Sequence, residues 1–284
     1  MVPFKYLLYR SIKMASNCSK SSTAIQTIRA SGVLALSLAE GEERVLCVVL
    51  DPHNEEEFSQ EIRVTLAADS SCDLTVLEIS SSNVPCMITE RSTLGREARM
   101  TWRNVTLGEG KVTQDLRSEI NGANVESSID WIFFAHEDDH YDLSVRNVFL
   151  GSRGRGEIMM KGVAEGHAHV SARGMIEIGP KGSGTDTYLT QDVLMLDRTA
   201  KVDAIPGLEI KTNDVKSSHS ATVRHVSPDD LFYFGSRGIP EAEARRVYIE
   251  GFLKDLTKKI ADAGVRERVL LELERKFNVG KSFH

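Results

Sequence analysis

The feature that most constrains the fold of this chain is a succession of short, β-like apolar runs. From about residue 43 onwards, these runs alternate apolar and polar side chains and are bounded by Gly, Asn, Ser or Asp. No convincing amphipathic helix occurs between residues 60 and 225, which disfavours a fold built from βαβ units. The runs are RVLCVVL, EIRVTLA, DLTVLEI, EARMTWRNVTL, DWIFFA, YDLSVRNVFL, GEIMMKGVA, ARGMIEIG, QDVLMLD and GLEIKT.

The spacing of the later runs limits the choice further. They begin near residues 141, 157, 173, 191 and 208, so that neighbouring runs lie 16 to 18 residues apart. A steady short period of strands is typical of a solenoid, whose coils bury their apolar faces by stacking. A parallel β-helix fits this pattern, and a β-sandwich also places strands at short, regular intervals. Spacing alone leaves both folds open.

A helical tail begins at about residue 227. The segment SPDD (227–230) supplies a Ser cap and a proline at the first helical position. A longer helix opens at Pro240, with acids in its first turn and two lysines near its end, as the helix dipole favours. Predicted apolar stripes are Tyr248, Phe252 and Leu256 in this helix, and Val269, Leu270, Leu273 and Phe277 in a last one.

Composition limits the classes of partner. The 284-residue chain has a formal net charge of −6, which argues against a nucleic-acid binder, because neutralising phosphates takes a basic surface. No stretch approaches the roughly 20 apolar residues of a membrane-spanning helix. We therefore expect neither nucleic acid nor a membrane as a partner.

The cysteines and the N-terminal residues are the features from which the cellular compartment can be predicted. Cys18, Cys47, Cys72 and Cys86 form no Cys-x-x-Cys pair and are predicted to be buried or free thiols in a reducing compartment. The first 22 residues are basic and Ser-rich without acids, which fits a transit peptide or, as we prefer, a short arm or helix over residues 1–25. We expect the protein to be cytoplasmic.

His136, Glu137 and His140 satisfy the H-E-x-x-H pattern of zinc hydrolases. In those enzymes the motif lies on a helix, so that both imidazoles share one face and the glutamate serves as the general base. Here DWIFFA precedes the motif and YDLSVRNVFL follows it, and both are predicted strands. A polar, solvated loop is the favoured interpretation, with a metal bound by His136 and His140 as the alternative.

Three other features have weaker signals. His167 and His169 are spaced to share one face of a strand, which permits metal binding, although two exposed surface histidines are commoner. GSRGRGE (151–157) lacks the G-x-x-x-x-G-K-[ST] frame of a phosphate loop, so we expect corners of coils there and no nucleotide bound by this chain. On composition alone, His219 in LEIKTNDVKSSHSATV (208–223) is a structural residue.

Residues 194–252 resemble the C-terminal half of the SufB/SufD family, the scaffold proteins of the SUF iron–sulfur cluster assembly system. AIPGLEI (204–210) matches the family's run of small residues, proline and LEI. DVKSSHSAT (214–222) matches D-V-x-C-S-H-G-A-T, and LFYFGSRGI (231–239) matches L-F-Y-x-x-S-R-G-I. The short stretch before the strands suggests a short SufD-like or minimal single-paralogue form.

The resemblance implies an all-β fold, a right-handed parallel β-helix over residues 26–226, with a short C-terminal helical domain over residues 227–284. In the family these helices dock onto the ATPase SufC, so we expect a SufC-like ABC-type ATPase as partner. We also expect a homodimer, or a heterodimer with another SufB/SufD-type chain. The side chains expected to contact the ATPase are Leu231, Phe232, Tyr233, Arg237, Tyr248 and Phe252.

The resemblance also implies ligand positions, and the chain departs from several of them. The family's cluster-binding cysteine falls near Gln191, its glutamate at Ser220, and a cysteine frequent in SufD-like sequences at Ser217. His219 matches the histidine that SufD offers across the subunit interface. The candidate ligands for a transient iron–sulfur cluster or iron are His219 first, then Glu209 and Asp214.

We therefore expect a scaffold component of iron–sulfur cluster assembly that is not itself an enzyme. The missing cysteine and glutamate leave open a structural SUF subunit that stabilises the ATPase without metal chemistry. A zinc hydrolase using the HEDDH segment is the third hypothesis.

Overall fold

The computed structural model describes residues 24–52, 56–80, 84–226, 228–260 and 262–279. Nearly all of the predicted arm over residues 1–25, together with Cys18 and the predicted cap Ser227, lies outside these residues. For five residues of the helices only the backbone is described, and not the side chain. These residues are Pro228, Asp230, Leu231, Asn278 and Val279.

Fifteen strands occur in the described part of the chain and form two parallel sheets. Their bounds are β1 Ala24–Ile28, β2 Gly32–Leu38, β3 Glu43–Leu50, β4 Phe58–Leu66, β5 Ser71–Glu78, β6 Cys86–Leu94, β7 Arg99–Thr106, β8 Lys111–Ile120, β9 Glu126–Ala135, β10 His140–Phe149, β11 Arg155–Ala164, β12 His169–Ile178, β13 Thr185–Met195, β14 Lys201–Ile210 and β15 Val215–His225. The odd-numbered strands form sheet A, with eight strands, and the even-numbered strands form sheet B, with seven.

Each coil of this solenoid contributes one strand to each sheet, so the 16 to 18 residues between successive runs correspond to half a coil. Every strand pairs with the strand two places along the chain, and all pairs are parallel. The predicted parallel β-helix is confirmed. The sandwich alternative is wrong, because sandwiches are built from antiparallel pairs.

The main core lies between the two sheets and consists of stacked apolar side chains. Val112, Tyr141 and Val170 occupy equivalent positions in β8, β10 and β12, and all three are buried. The side chains of a strand alternate between its two faces, so every second residue of the alternating runs enters this core. This stacking explains how a chain with few aromatic residues builds a continuous interior.

From β3 to β13, the strands of sheet A bury both faces in their second half. In the run DWIFFA of β9, Trp131 and Phe133 enter the core between the sheets, whereas Ile132 and Phe134 belong to a second apolar layer on the outer face. The strands of sheet B instead keep the alternating pattern of one buried and one solvated face. A near-continuous apolar run is typical of a strand covered on both sides.

Three helices follow the solenoid: α1 Pro228–Gly235, α2 Glu241–Lys259 and α3 Ala263–Val279. Helices α2 and α3 supply the cover for sheet A, and none of the described helices is long and apolar enough to cross a bilayer. Of the predicted stripe, Leu256 is buried as predicted, whereas Tyr248 and Phe252 are only partly buried. The next residues along the chain, Ile249 and Leu253, are the buried ones. The prediction for Leu270 was wrong, because its side chain is 44% exposed.

A buried lysine fixes the end of α3 to the solenoid. The Nζ atom of Lys276 donates hydrogen bonds to the carbonyl oxygens of Leu107 and Gly108, at 2.9 and 2.8 Å. It also contacts the carboxylate of Asp139 at 2.7 Å and the hydroxyl of Tyr141 at 2.9 Å. The helical segment is thus packed and hydrogen-bonded against the solenoid.

Candidate functional site

The solenoid ends in an open coil formed by β14 and β15. Strand β14 pairs with β12 and strand β15 pairs with β13, and no other described strand pairs with either of them, so each has a free edge in the described part of the chain. No residue of either strand is buried. A free edge presents unpaired N–H and C=O groups that can pair with another strand. The coil that contains the segment DVKSSHSAT is therefore accessible to a second chain.

His219 lies on the inward face of this last coil. It pairs in register with Leu189, which is buried in the core between the sheets, and paired residues of neighbouring strands share a face. The His219 side chain is exposed, because no further coil of the described chain covers it. Ser217 and Ala221 share its face by the same alternation, and the Ser217 hydroxyl is buried without a hydrogen-bond partner. The imidazole of His219 is thus presented near the middle of β15 at the open end.

Glu209 and Asp214 do not lie on the same face as His219. Glu209 is on the outer face of β14, where its carboxylate contacts Lys211 Nζ at 2.8 Å. The hydrogen bond and the positive charge of Lys211 lower the pKa of Glu209. Asp214 precedes β15 and accepts a hydrogen bond from the Ser183 hydroxyl at 2.6 Å. The described residues contain no group of three or more His, Cys, Asp or Glu that could hold a metal ion.

The two positions where the family pattern expects a cysteine and a glutamate have other roles here. Gln191 is fully buried inside the solenoid, and its Nε2 donates to the carbonyl oxygen of Ala172 at 3.0 Å. Ser220 lies on the opposite face of β15 from His219 and accepts a hydrogen bond from the Tyr188 hydroxyl at 3.1 Å. Neither position supplies a strong iron ligand.

The described cysteines are far from the open end. Cys47, Cys72 and Cys86 are free and buried, in β3, β5 and β6. Burial raises the pKa of each of these thiols to about 12. They are therefore protonated at neutral pH, whereas a metal ligand must be a thiolate.

The HEDDH segment forms a tight turn between β9 and β10, as the strand pattern predicts, but half of it is buried. Asp139 and His136 are only 5% and 9% exposed, because α3 covers them. His136 Nδ1 lies 3.0 Å from the carboxylate of Glu165. Burial lowers the pKa of His136, but the hydrogen bond and charge of Glu165 and the charge of Glu137 outweigh it, and the net shift is upward.

His136 and His140 do not share a site. His140 begins β10 on the outer face of sheet B, with its ring 5.8 Å from that of His169, centroid to centroid. His136 is buried beside the helices that cover sheet A, and it borders a cavity of about 320 Å³ between the turn and α3. Glu137 has a left-handed backbone with φ 52°, so the motif is not helical. The two imidazoles therefore cannot chelate one zinc ion in this arrangement.

The residues predicted to contact an ATPase divide into two groups. Phe232 and Tyr233 on α1 are 75% and 54% exposed, and the Arg237 guanidinium lies over the Tyr233 ring at 4.6 Å. Tyr248 and Phe252 on α2 instead pack against the apolar layer on sheet A. The Leu231 side chain is outside the description. An exposed aromatic pair on α1 is thus available to a partner.

Sequence reasoning missed Lys276 and a polar cluster inside the solenoid. The cluster centres on Glu90, whose carboxylate accepts hydrogen bonds from the amides of Asn104 and Gln114 at 2.6 and 3.2 Å. The signal was present in CMITERSTL, where Glu90 falls at an inward position of the alternating pattern. No comparable signal marks Lys276, because a single lysine near a helix end is ordinary.

Comparison with protein-family models gives one match over residues 36–252, described as the core domain of SufBD proteins of the SUF system for FeS cluster assembly. This match covers β3 to β15 completely and continues into α2. It includes the open end, His219 and the exposed residues of α1.

Curated relatives bear the same description. The chain is 29% identical over 208 residues to the iron-sulfur cluster assembly SufBD family protein Mb1496 of Mycobacterium bovis, covering 72% of this chain and 24% of that protein. It is 28% identical over 229 residues to the SufBD family protein Rv1462 of Mycobacterium tuberculosis, covering 77% of this chain and 58% of that protein. The chain thus matches less than two thirds of the length of each of these relatives.

Proposed function

Because the chain belongs to the SufBD family of iron–sulfur cluster assembly proteins, we propose that it is a scaffold component that works in complex with a SufC-like ATPase. The observation that carries this proposal is the open last coil, which lies within the matched region and presents His219 beside two free strand edges. We assign the chain no catalytic role of its own and place it in the cytoplasm, where its free cysteines stay reduced.

The open end suits a dimer in which a second SufB/SufD-type chain, identical or paralogous, continues the sheets. Edge strands with exposed N–H and C=O groups are the usual template for such pairing. On the inward face of β15 one copy offers His219 and, six positions further along the strand, His225, so any iron site at His219 needs ligands from the second chain. Because clusters normally require thiolates, the cargo at this end is iron, or a transient cluster whose thiolate ligands come from the partner.

The ligand role of His219 is tested by anaerobic reconstitution. The chain and its ATPase are purified together and titrated with Fe(II), with and without sulfide, and the bound metal is measured. We expect His219→Ala to lose most of the bound iron, since it removes the imidazole at the open end. His225→Ala is the matched control, because His225 is an exposed histidine on the same face of the same strand. Equal uptake by His219→Ala and wild type would refute the role.

The docking surface for the ATPase is proposed to be the exposed aromatic pair of α1 with its neighbour Arg237. Exposed aromatic side chains and arginine are common anchors of protein interfaces. The variant Phe232→Ala/Tyr233→Ala is expected to lower co-purification of the ATPase strongly. The control is Leu270→Ala/Leu271→Ala, which removes exposed apolar side chains from α3. If both variants retain the ATPase equally, α1 is not the docking surface.

The presence of glutamine and serine at positions 191 and 220 favours a second candidate function. A structural SUF subunit would stabilise the ATPase and pair with a cluster-binding chain without holding metal itself. The same reconstitution separates the two candidates. Iron bound by this chain with its ATPase alone supports the scaffold, and a complex that binds no iron supports the structural subunit.

A further inference from the structure

We propose that Phe252 of α2 and Arg224 of β15 form a bridge through which the helical domain positions the last strand of the solenoid. The contact between the two side chains is independent of any ligand. Its consequence rests on the proposed function, because β15 is the strand that carries His219. Both residues are positioning residues and neither is a candidate ligand.

Strand β15 has little else to hold it. Among the described strands it pairs with β13 alone, and all of its residues are intermediate or exposed. A core strand is held by neighbours on both edges and by cover on its faces, and β15 lacks one edge and most of its cover. The few side-chain contacts that it makes therefore have an unusually large influence on its position.

Arg224 makes the strongest of these contacts. Its Nη2 lies 2.8 and 2.7 Å from the two carboxylate oxygens of Asp192 on β13, and its Nε lies 3.2 Å from one of them. Its guanidinium carbon is 5.5 Å from the centre of the Phe252 ring. A guanidinium held in this way has one face of its plane available to an aromatic ring. Arg224 thus links β15 both to its neighbouring strand and to α2.

Phe252 completes the bridge from the helical side. Its ring lies between two cations, because the Nζ atom of Lys161 on β11 is 5.3 Å from the ring centre. Lys161 pairs in register with Asp192, which in turn binds Arg224. Lys161 Nζ also lies 3.4 Å from the carbonyl oxygen of Phe252. One aromatic side chain of α2 therefore touches cations on two strands that flank β13.

A displacement of Arg224 on the outer face of β15 is transmitted to the inner face by the backbone of the strand. Arg224 is on the outer face and His219 is on the inner face of the same strand, separated by five positions. A strand transmits a displacement along its length because its backbone is extended and hydrogen-bonded to one rigid neighbour. A change in the position of α2, such as a partner bound to the helices would cause, therefore alters the setting of His219.

Hydrogen exchange of the full-length chain tests the bridge. Phe252→Leu keeps an apolar side chain but removes the ring, and Arg224→Gln removes the cation. A cation–ring contact of ordinary strength corresponds to a roughly two- to fivefold change in an opening equilibrium, so amides of 215–225 should exchange roughly two- to fivefold faster in Phe252→Leu. The increase should be larger in Arg224→Gln, because this variant also loses the ion pair with Asp192. Tyr248→Leu is the matched control, because it removes another half-buried ring from α2, one turn earlier.

A second measurement reports on His219 directly. The imidazole resonances of His219 are expected to shift in Phe252→Leu and to stay in place in Tyr248→Leu. The bridge is refuted if the exchange of β15 is unchanged in Phe252→Leu, or if Tyr248→Leu raises it equally. Neither measurement needs iron or an ATPase. A failure of His219 to bind iron would therefore overturn the proposed function and leave the bridge standing.

Discussion

At the scale of single residues, the interior of the solenoid contains a carboxyl group that apolar packing alone does not explain. Glu90 is fully buried in β6, and burial raises its pKa to about 8, an effect only partly offset by the hydrogen bonds from Asn104 and Gln114. One of its carboxylate oxygens has no hydrogen-bond partner. Glu90 is therefore mostly protonated in the folded protein at neutral pH.

The raised pKa of Glu90 makes the free energy of unfolding depend on pH. The unfolded chain releases the Glu90 proton near pH 4.5, whereas the folded chain keeps it until about pH 8. Between these values the folded state binds more protons, so the free energy of unfolding falls as pH rises through this window. We expect Glu90→Gln, which is neutral at every pH, to be more stable than wild type at pH 8 by roughly 2–4 kcal/mol.

Urea unfolding at pH 5, 6.5 and 8 checks this prediction. The stability advantage of Glu90→Gln should grow with pH over this series. Glu119→Gln, on the outer face of β8, serves as the control for removing a surface carboxylate. A constant difference between Glu90→Gln and wild type at all three pH values would contradict the assignment.

Lys276 forms a buried ion pair, because its partner Asp139 is buried as well. Lys276→Met keeps much of the side-chain volume but leaves the Asp139 carboxylate uncompensated. Removing one partner of a buried pair costs about 3–5 kcal/mol, so we expect a loss of that size in urea unfolding. The double variant Lys276→Met/Asp139→Asn should recover part of the loss. Lys258→Met, at an exposed position of α2, is the control.

At the scale of elements, the two sheets have different environments although they have similar strands. Sheet B has an outer face of charged and polar residues, while α2 and α3 cover the outer face of sheet A. The cover is held by apolar packing and by charged contacts such as that of Lys259 with Asp130 at 2.8 Å. Helices α2 and α3 are thus part of the folded core. Helix α2 also packs against α1, which carries the proposed docking surface.

Substitutions of two leucines, one buried and one exposed, test the packing of the helices on sheet A. Leu253 of α2 is 1% exposed, whereas Leu270 of α3 is among the exposed apolar residues. Truncating a buried leucine to alanine costs about 2–5 kcal/mol, and we expect Leu253→Ala to fall in that range. Leu270→Ala should cost less than about 1 kcal/mol, as most surface changes do. Equal losses in chemical unfolding would mean that α2 does not pack on sheet A as described.

At the scale of the whole molecule, helices close one side of the solenoid, and its C-terminal end is open among the described residues. The open end has the free edges of β14 and β15, and the closed side buries residues of the outer layer such as Val49, Leu77 and Leu194. The two regions meet at β15, which connects directly to the helical segment. The proposed site on β15 and the proposed docking surface on α1 therefore lie on consecutive elements of the chain.

Removal of the helices tests how far the solenoid depends on them. A chain that ends after residue 226 would expose the apolar outer face of sheet A, and contiguous exposed apolar surface promotes association. We expect this truncated chain to aggregate, as measured by light scattering during size-exclusion chromatography. A monodisperse truncated chain with the thermal stability of wild type would show that the helices are dispensable for folding. Point variants of α1 are therefore better probes of ATPase docking than truncation.

Much of the candidate site could be predicted from the sequence, and its geometry could not. The motif DVKSSHSAT identified His219, and the strand pattern placed it on a strand. That Glu209 is turned away from His219 depends on which sheet each of the two strands joins. The pattern of β14 and β15 does not contain that information, because both strands show the same local alternation.

The sequence by itself determined that the chain forms short strands in a regular series, that a helical tail follows, and that the last coils belong to a known assembly family. These properties depend on local alternation, turn residues and motifs, all of which lie within a few residues of one another. Tertiary structure alone decided that the HEDDH turn is half buried, that Ile249 is buried against sheet A while Tyr248 is only partly buried there, and that Phe252 meets Arg224. Each of these facts depends on segments far apart in the chain coming into contact, and burial and pKa are set by those contacts.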